Sequence, residues 1–134
     1  MCYTQAVHMG AGMITFSVDD QRQLSIVTCS GKLTAEEVSD AIKKYYQGDP
    51  TPNVLWDIEQ ADLTALSADD VAKIAQLTSS ERPDGLPGKT AIVSSQDLGF
   101  GMGRMFETYR QFEEKEVAMQ VFRSLDEALA WMDE

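Results

Sequence analysis

Residues 87–110 read PGKTAIVSSQDLGFGMGRMFETYR, and the fold is decided by this stretch. Residues 90–93 form a short apolar run that is typical of a buried strand. Polar residues and three glycines follow, and an apolar pattern with helical spacing runs on from Met102. The stretch therefore predicts a strand, a glycine-rich turn and a helix start. In an α/β unit this is the place where ligands and anions bind.

The predicted turn also supplies most of a candidate ligand-binding site. Its members are Ser94, Ser95, Asp97, Gly99, Gly101, Gly103 and Arg104. Asp57 joins them because it closes the apolar run 54–56 at the carboxyl edge of the predicted sheet. The glycines would let backbone amides approach a ligand. Arg104 lies near a helix start, where a cation is unfavourable unless it pairs with an anion. Its partner would be Asp97 or Asp57 in a structural ion pair, or the anionic head of a ligand.

Strands alternate with helices on both sides of this stretch. The predicted strands cover residues 13–18, 23–29, 54–56, 90–93 and 117–122, and the predicted helix caps are Thr34, Ser67 and Ser124. The order predicts an α/β domain with right-handed crossovers, a mixed and mostly parallel sheet of about five strands, and about four helices. Residues 1–12 show no period and predict a flexible tail, which leaves 13–134 as a single domain.

Composition excludes several classes of function. The chain of 134 residues has a formal net charge of -11, which disfavours nucleic acid and anionic membrane surfaces. Charged or polar residues interrupt every apolar run, so we expect no membrane insertion and a cytoplasmic protein. The two cysteines fit neither a disulfide framework nor a metal site. We therefore predict no cofactor and no metal.

Catalytic motifs are incomplete. Residues 88–90 read GKT, but they precede a strand, whereas a P-loop follows one. The spacing of Gly99, Gly101 and Gly103 departs from a dinucleotide fingerprint, and Ser94 lacks a nucleophile elbow. The prediction is a protein without catalytic residues. An enzyme that uses Asp57 and Arg104 is a weaker alternative.

Four segments resemble the bacterial SpoIIAA-like proteins of the STAS and CRAL-TRIO-like group. They are VLWD at 54–57, GKTAIV at 88–93, FGMGRMF at 100–106 and VFRSLDEALAWM at 121–132. The resemblance implies a superhelix of β-α units. It also implies two kinds of relative. One kind are anti-sigma-factor antagonists, whose activity is regulated by phosphorylation of a serine in an Asp-Ser-Ser-Gly motif. The other kind bind lipids in an apolar pocket. Residues 65–70 read ALSADD instead, so Ser67 is interpreted as a helix cap without the switch.

Together these features predict a non-enzymatic domain that binds a small anionic or lipid-like molecule. The expected crevice lies between Asp57, the 94–97 turn and the helix start at 99–104. Methionines around that helix, which are adaptable packing residues, would suit a cavity for an acyl chain. The alternative is a regulatory module that binds a protein partner or forms a homodimer.

Overall fold

The computed structural model describes residues 4–9, 12–84, 86–113 and 117–134. The strands are β1 (Thr4–Met9), β2 (Gly12–Asp19), β3 (Leu24–Lys32), β4 (Asn53–Asp62), β5 (Gly88–Val93) and β6 (Val117–Phe122). The helices are α1 (Ala35–Gln47), α2 (Ala68–Glu81), α3 (Asp97–Glu113) and α4 (Leu125–Met132). None of the helices in these ranges has the length and apolar character that a membrane crossing requires.

All strands belong to one sheet in the order β1-β2-β3-β4-β5-β6. The first three strands pair antiparallel, and β3 to β6 pair parallel. The predicted α/β class, mixed sheet and four helices are confirmed. The sheet has one strand more than predicted, because Thr4–Met9 of the expected tail pairs with β2. Residues 1–3, 10 and 11 of that tail lie outside the described residues.

The sheet carries helices on both faces. On one face, β2, β3 and β4 pack with α1, and α2 packs against both α1 and α3. On the other face, Leu55, Ala91 and Phe122 from the parallel strands pack against Ala128 and Met132 of α4. Because side chains alternate along a strand, each parallel strand serves both cores. The two faces are referred to below as the three-helix face and the α4 face.

Side-chain caps begin three of the helices at the predicted residues. The hydroxyl oxygens of Thr34, Ser67 and Ser124 each accept a backbone N–H three residues later. Ser67 also forms a complete capping box, since the Asp70 carboxylate accepts the Ser67 backbone N–H at 3.0 Å. These bonds satisfy amides that the first helical turn leaves open.

Two of the predicted boundaries that are wrong bear on the candidate site. β4 continues to Asp62 rather than ending before Asp57, because residues 60–62 pair with β3 beyond a register shift. α3 begins at Asp97 rather than near Met102. The predicted glycine-rich turn is therefore the first part of a helix.

Candidate functional site

The three glycines of α3 lie inside the helix, and two of them face packed neighbours. A Cβ on Gly99 would lie 2.3 Å from Ser94 Oγ. A Cβ on Gly103 would lie 3.0 Å from a methyl of Val121. Around Gly101, no atom lies within 4 Å of such a Cβ. Two glycines therefore allow α3 to approach the end of β5 and the sheet closely, and the third is exposed. The expected loop of ligand-binding amides is not formed.

Arg104 is exposed in the second turn of α3, away from the expected anion site. Its Nε lies 3.3 Å from Glu107 Oε1 on the same helix. Burial raises the pKa of Glu107, and the neighbouring guanidinium of Arg104 lowers it in part. Asp97 is paired instead with Arg123, whose guanidinium donates to its carboxylate at 2.9 Å. The predicted pairing of Arg104 with Asp97 or Asp57 is therefore wrong.

The structure brings Ser94, Ser95 and Asp97 together where β5 ends. The buried Ser94 donates its backbone N–H to the carbonyl of Phe122 at 3.0 Å. Ser95 donates both its backbone N–H and its hydroxyl to the Glu59 carboxylate, the first at 2.6 Å. These bonds, led by the hydroxyl, lower the pKa of Glu59. Residues 94–97 and Glu59 thus form a polar edge whose groups are hydrogen-bonded to one another. This polar edge holds the start of α3.

Arg123 completes this polar edge from the end of β6. Its guanidinium donates to the Ser95 carbonyl at 3.0 Å and stacks 3.9 Å from the ring centroid of Phe100. Sequence reasoning did not identify Glu59 or Arg123 because their partners are distant in the chain.

Asp57 lies within β4, opposite Val93 of β5. Its neighbour Trp56 lines the three-helix face, so the alternation of the strand puts Asp57 on the α4 face. Its carboxylate accepts the backbone N–H of Glu59 at 3.0 Å. Asp57 and the exposed Arg104 are therefore on opposite sides of the sheet, and the predicted crevice between them is not formed.

A cavity of about 100 Å³ lies on the three-helix face instead. Its floor comes from β3, β4 and β5, and its cover comes from α1, α2 and α3. The lining residues share an apolar character and are Cys29, Leu33, Val38, Ile42, Trp56, Ile58, Leu63, Leu66, Val71, Ile74, Ile92, Met102, Gly103 and Phe106. Leu66, Met102 and Phe106 are only partly buried, so they form part of the rim.

The cavity has little capacity for polar recognition or acid–base chemistry. Cys29 is its one titratable lining residue, and Cys29 is 1% exposed. Burial, with a smaller contribution from the charge of Asp57, raises the pKa of Cys29 to about 12. The thiol is therefore protonated at neutral pH and is a poor nucleophile. Within the described ranges, no three His, Cys, Asp or Glu side chains cluster as a metal site would require.

Helix-start packing explains where the cavity forms. The pairs Leu33–Val38 and Leu66–Val71 occupy the hydrophobic staple positions of α1 and α2, and all four side chains line it. Met102 and Phe106, one helical turn apart on α3, contribute the third wall. The sequence predicts these staples and this helical spacing. It does not predict that the three helices leave space between them.

No model of a known protein family matches the chain, and a search of curated proteins found no match. The resemblance to SpoIIAA-like proteins therefore stays a prediction. Ser67, at the position compared with their phosphoserine, is engaged in the capping box of α2 and is followed by Asp69 and Asp70.

Proposed function

We propose that this domain binds a small apolar molecule, or the apolar end of a lipid-like one, in the cavity between the sheet and α1, α2 and α3. The observation that carries the proposal is the lining, which brings together aliphatic, aromatic and methionine side chains around about 100 Å³ of space. The space is partly open along the rim formed by Leu66, Met102 and Phe106, and apolar-lined spaces of this kind accept apolar guests.

The chemistry of the lining narrows the ligand class. None of the lining side chains carries a charge when Cys29 is protonated, so the cavity offers no partner for a buried phosphate or carboxylate. Burying an unpaired charge there would cost several kcal/mol or more. The enclosed part of the ligand is therefore a neutral hydrocarbon group, and any polar group of the ligand lies outside the rim.

The same lining supports a binding protein rather than an enzyme. General acid–base catalysis requires a group that gains or loses a proton near neutral pH. Cys29 does not meet this requirement, because its raised pKa keeps it protonated. The domain would act by holding or sensing its ligand.

Benzene titration followed by NMR of methyl-labelled methionine tests the proposal. We expect a saturable shift of the Met102 methyl, because Met102 borders the cavity. Val71→Ile places an additional methylene at the lining and should weaken binding. Val93→Ile makes the same change on the α4 face, where Val93 is 3% exposed, and should bind benzene like the wild type. A wild-type protein that shows no saturable shift would contradict the proposal.

A protein-interaction module is the second candidate function. Leu98 and Leu125, at the starts of α3 and α4, are 47% and 40% exposed. Exposed leucines at the same edge of the sheet favour a protein contact, although single exposed leucines are common. Native mass spectrometry of the purified protein separates the two functions. A co-purified compound of a few hundred daltons supports ligand binding, and a ligand-free dimer that Leu98→Ser disrupts supports the module.

A further inference from the structure

The cavity extends across the strands of the sheet. Cys29 on β3 and Ile92 on β5 both line it, and β4 lies between these two strands. Neighbouring strands are about 4.8 Å apart, so the lining spans roughly 10 Å in this direction. A space of about 100 Å³ spread over that length is narrow. Pockets that enclose whole drug-sized molecules are larger, at about 300 to 1,000 Å³. The cavity therefore fits a slender group better than a bulky one.

Burial differs between the two ends of this space. Cys29 of β3 and Leu33, which follows β3, are each 1% exposed and form its closed end. Leu66, Met102 and Phe106, on the side of α2 and α3, are only partly buried and form its open rim. A ligand that enters at the rim therefore extends toward Cys29 and Leu33.

The polar group of a ligand sets the direction in which the ligand lies. The closed end offers the protonated thiol of Cys29 and apolar side chains. A hydroxyl or a head group buried there without a good hydrogen bond would destabilise the complex, whereas water can hydrogen-bond the same group at the rim. The polar end of the ligand therefore stays at the rim, and the hydrocarbon end reaches the closed end.

We propose that the ligand is a single-chain amphiphile whose unbranched hydrocarbon chain lies across the sheet, with its terminal methyl at Cys29 and Leu33 and its polar end at the rim. This inference rests on the proposed function and names the ligand class for the same cavity. The narrow space favours a chain over a fused ring system or a cage of similar carbon number.

Neutral alcohols test this inference, because they differ in shape while carrying the same hydroxyl group. Their binding is followed by NMR at the Met102 methyl. We expect 1-hexanol to bind about 15-fold more tightly than 1-butanol, since each buried methylene strengthens binding about four-fold. We expect 1-octanol to bind more tightly still. The compact cage of 1-adamantanol should bind more weakly than 1-hexanol, although it has more carbon atoms.

The 1-octanol complex of the wild type reports the direction of the chain. Nuclear Overhauser effects should join the terminal methyl of 1-octanol to the Leu33 methyls, and its hydroxyl-bearing methylene to the Met102 methyl. Cys29→Val adds a methyl-sized group at the closed end. It should weaken 1-octanol binding about four-fold and leave the Kd of the shorter 1-butanol unchanged. Val93→Ile, on the α4 face, is the matched control and should bind both alcohols like the wild type.

The outcomes separate the two proposals. If benzene binds but 1-octanol binds no more tightly than 1-butanol, or 1-adamantanol binds as tightly as 1-octanol, the chain is the wrong ligand class and the binding function stands. If the terminal methyl of 1-octanol lies at Met102, or Cys29→Val weakens both alcohols equally, the direction of the chain is wrong. If the wild type binds neither benzene nor any of the alcohols, the proposed function fails and this inference fails with it.

Discussion

Replacement of each α3 glycine by alanine tests whether residues 97–103 are helical and packed as described. In an exposed helix interior, alanine is favoured over glycine by about 1 kcal/mol. Gly101→Ala should show this gain in full, because no atom lies within 4 Å of the new Cβ. At Gly103 the new Cβ would lie 3.0 Å from Val121 and 3.2 Å from Ile92, so small shifts of two methyl groups offset the gain. We expect a net change near zero for Gly103→Ala.

Gly99→Ala should be the most damaging of the three changes. Its Cβ would lie 2.3 Å from Ser94 Oγ and 2.9 Å from Ser94 Cβ, and Ser94 is 1% exposed with its backbone bonded to Phe122. Overpacking costs about 1 to 3 kcal/mol. The propensity gain of about 1 kcal/mol then leaves a net loss of up to about 2 kcal/mol.

Urea unfolding monitored by circular dichroism measures the series. The expected order of stability is Gly101→Ala above the wild type, Gly103→Ala close to it and Gly99→Ala below it. The reasoning is refuted if Gly101→Ala lowers the free energy of unfolding, as it would if Gly101 occupied a turn that needs glycine.

Three further predictions concern the core and the helix caps. The free energy of unfolding should fall as pH rises from about 9 to about 12, because the unfolded state loses the Cys29 proton at a lower pH than the folded state does. Urea unfolding measured across this range should show a smaller fall in the free energy of unfolding for Cys29→Ala than for the wild type. Ser67→Ala should lower the free energy of unfolding by about 1 kcal/mol through loss of the α2 cap, whereas Ser80→Ala, exposed on the same helix, should change it little. Arg82→Lys should lower the free energy of unfolding, measured by heat or urea, by about 1.5 to 3 kcal/mol. The buried guanidinium donates to the carbonyls of Pro52 and Leu86 and to the Tyr46 hydroxyl, and a single ammonium group cannot reach all three acceptors.

Local signals predicted most of the fold. Caps at Thr34, Ser67 and Ser124 with apolar helical spacing located three helices, and the short apolar runs located five of the six strands. These features depend on residues close in the chain, which is why sequence patterns reveal them. β1 gave no such signal, because its partner residues lie in β2 and its own sequence has no clear alternation.

The start of α3 was mispredicted because tertiary packing overrode local propensity. Glycines at 99, 101 and 103 favour a turn on propensity alone. In the folded chain, Gly99 and Gly103 lie against Ser94 and the sheet, where a larger residue would not fit without movement. The helix therefore forms because packing stabilises it.

Long-range contacts account for most of the errors in the candidate site, and the misplaced start of α3 accounts for the error at Arg104. The partner of Arg104, Glu107, lies three residues away, and helical spacing alone would have indicated this pair had the helix been placed correctly. The pair of Asp97 with Arg123 and the bonds of Ser95 with Glu59 join distant parts of the chain. The cavity likewise depends on how α1, α2 and α3 meet over the sheet. The apolar character of its lining residues was therefore predictable from the sequence, but its volume was not.

A crystal of the protein pressurised with xenon gives the most direct test of the central claim, which is that the cavity accepts an apolar guest. Xenon is known to occupy apolar protein cavities, and its anomalous scattering locates it without a model of the ligand. We predict a strong xenon peak among Cys29, Trp56 and Met102. Xenon found only at other positions, or nowhere in the molecule, would contradict the claim.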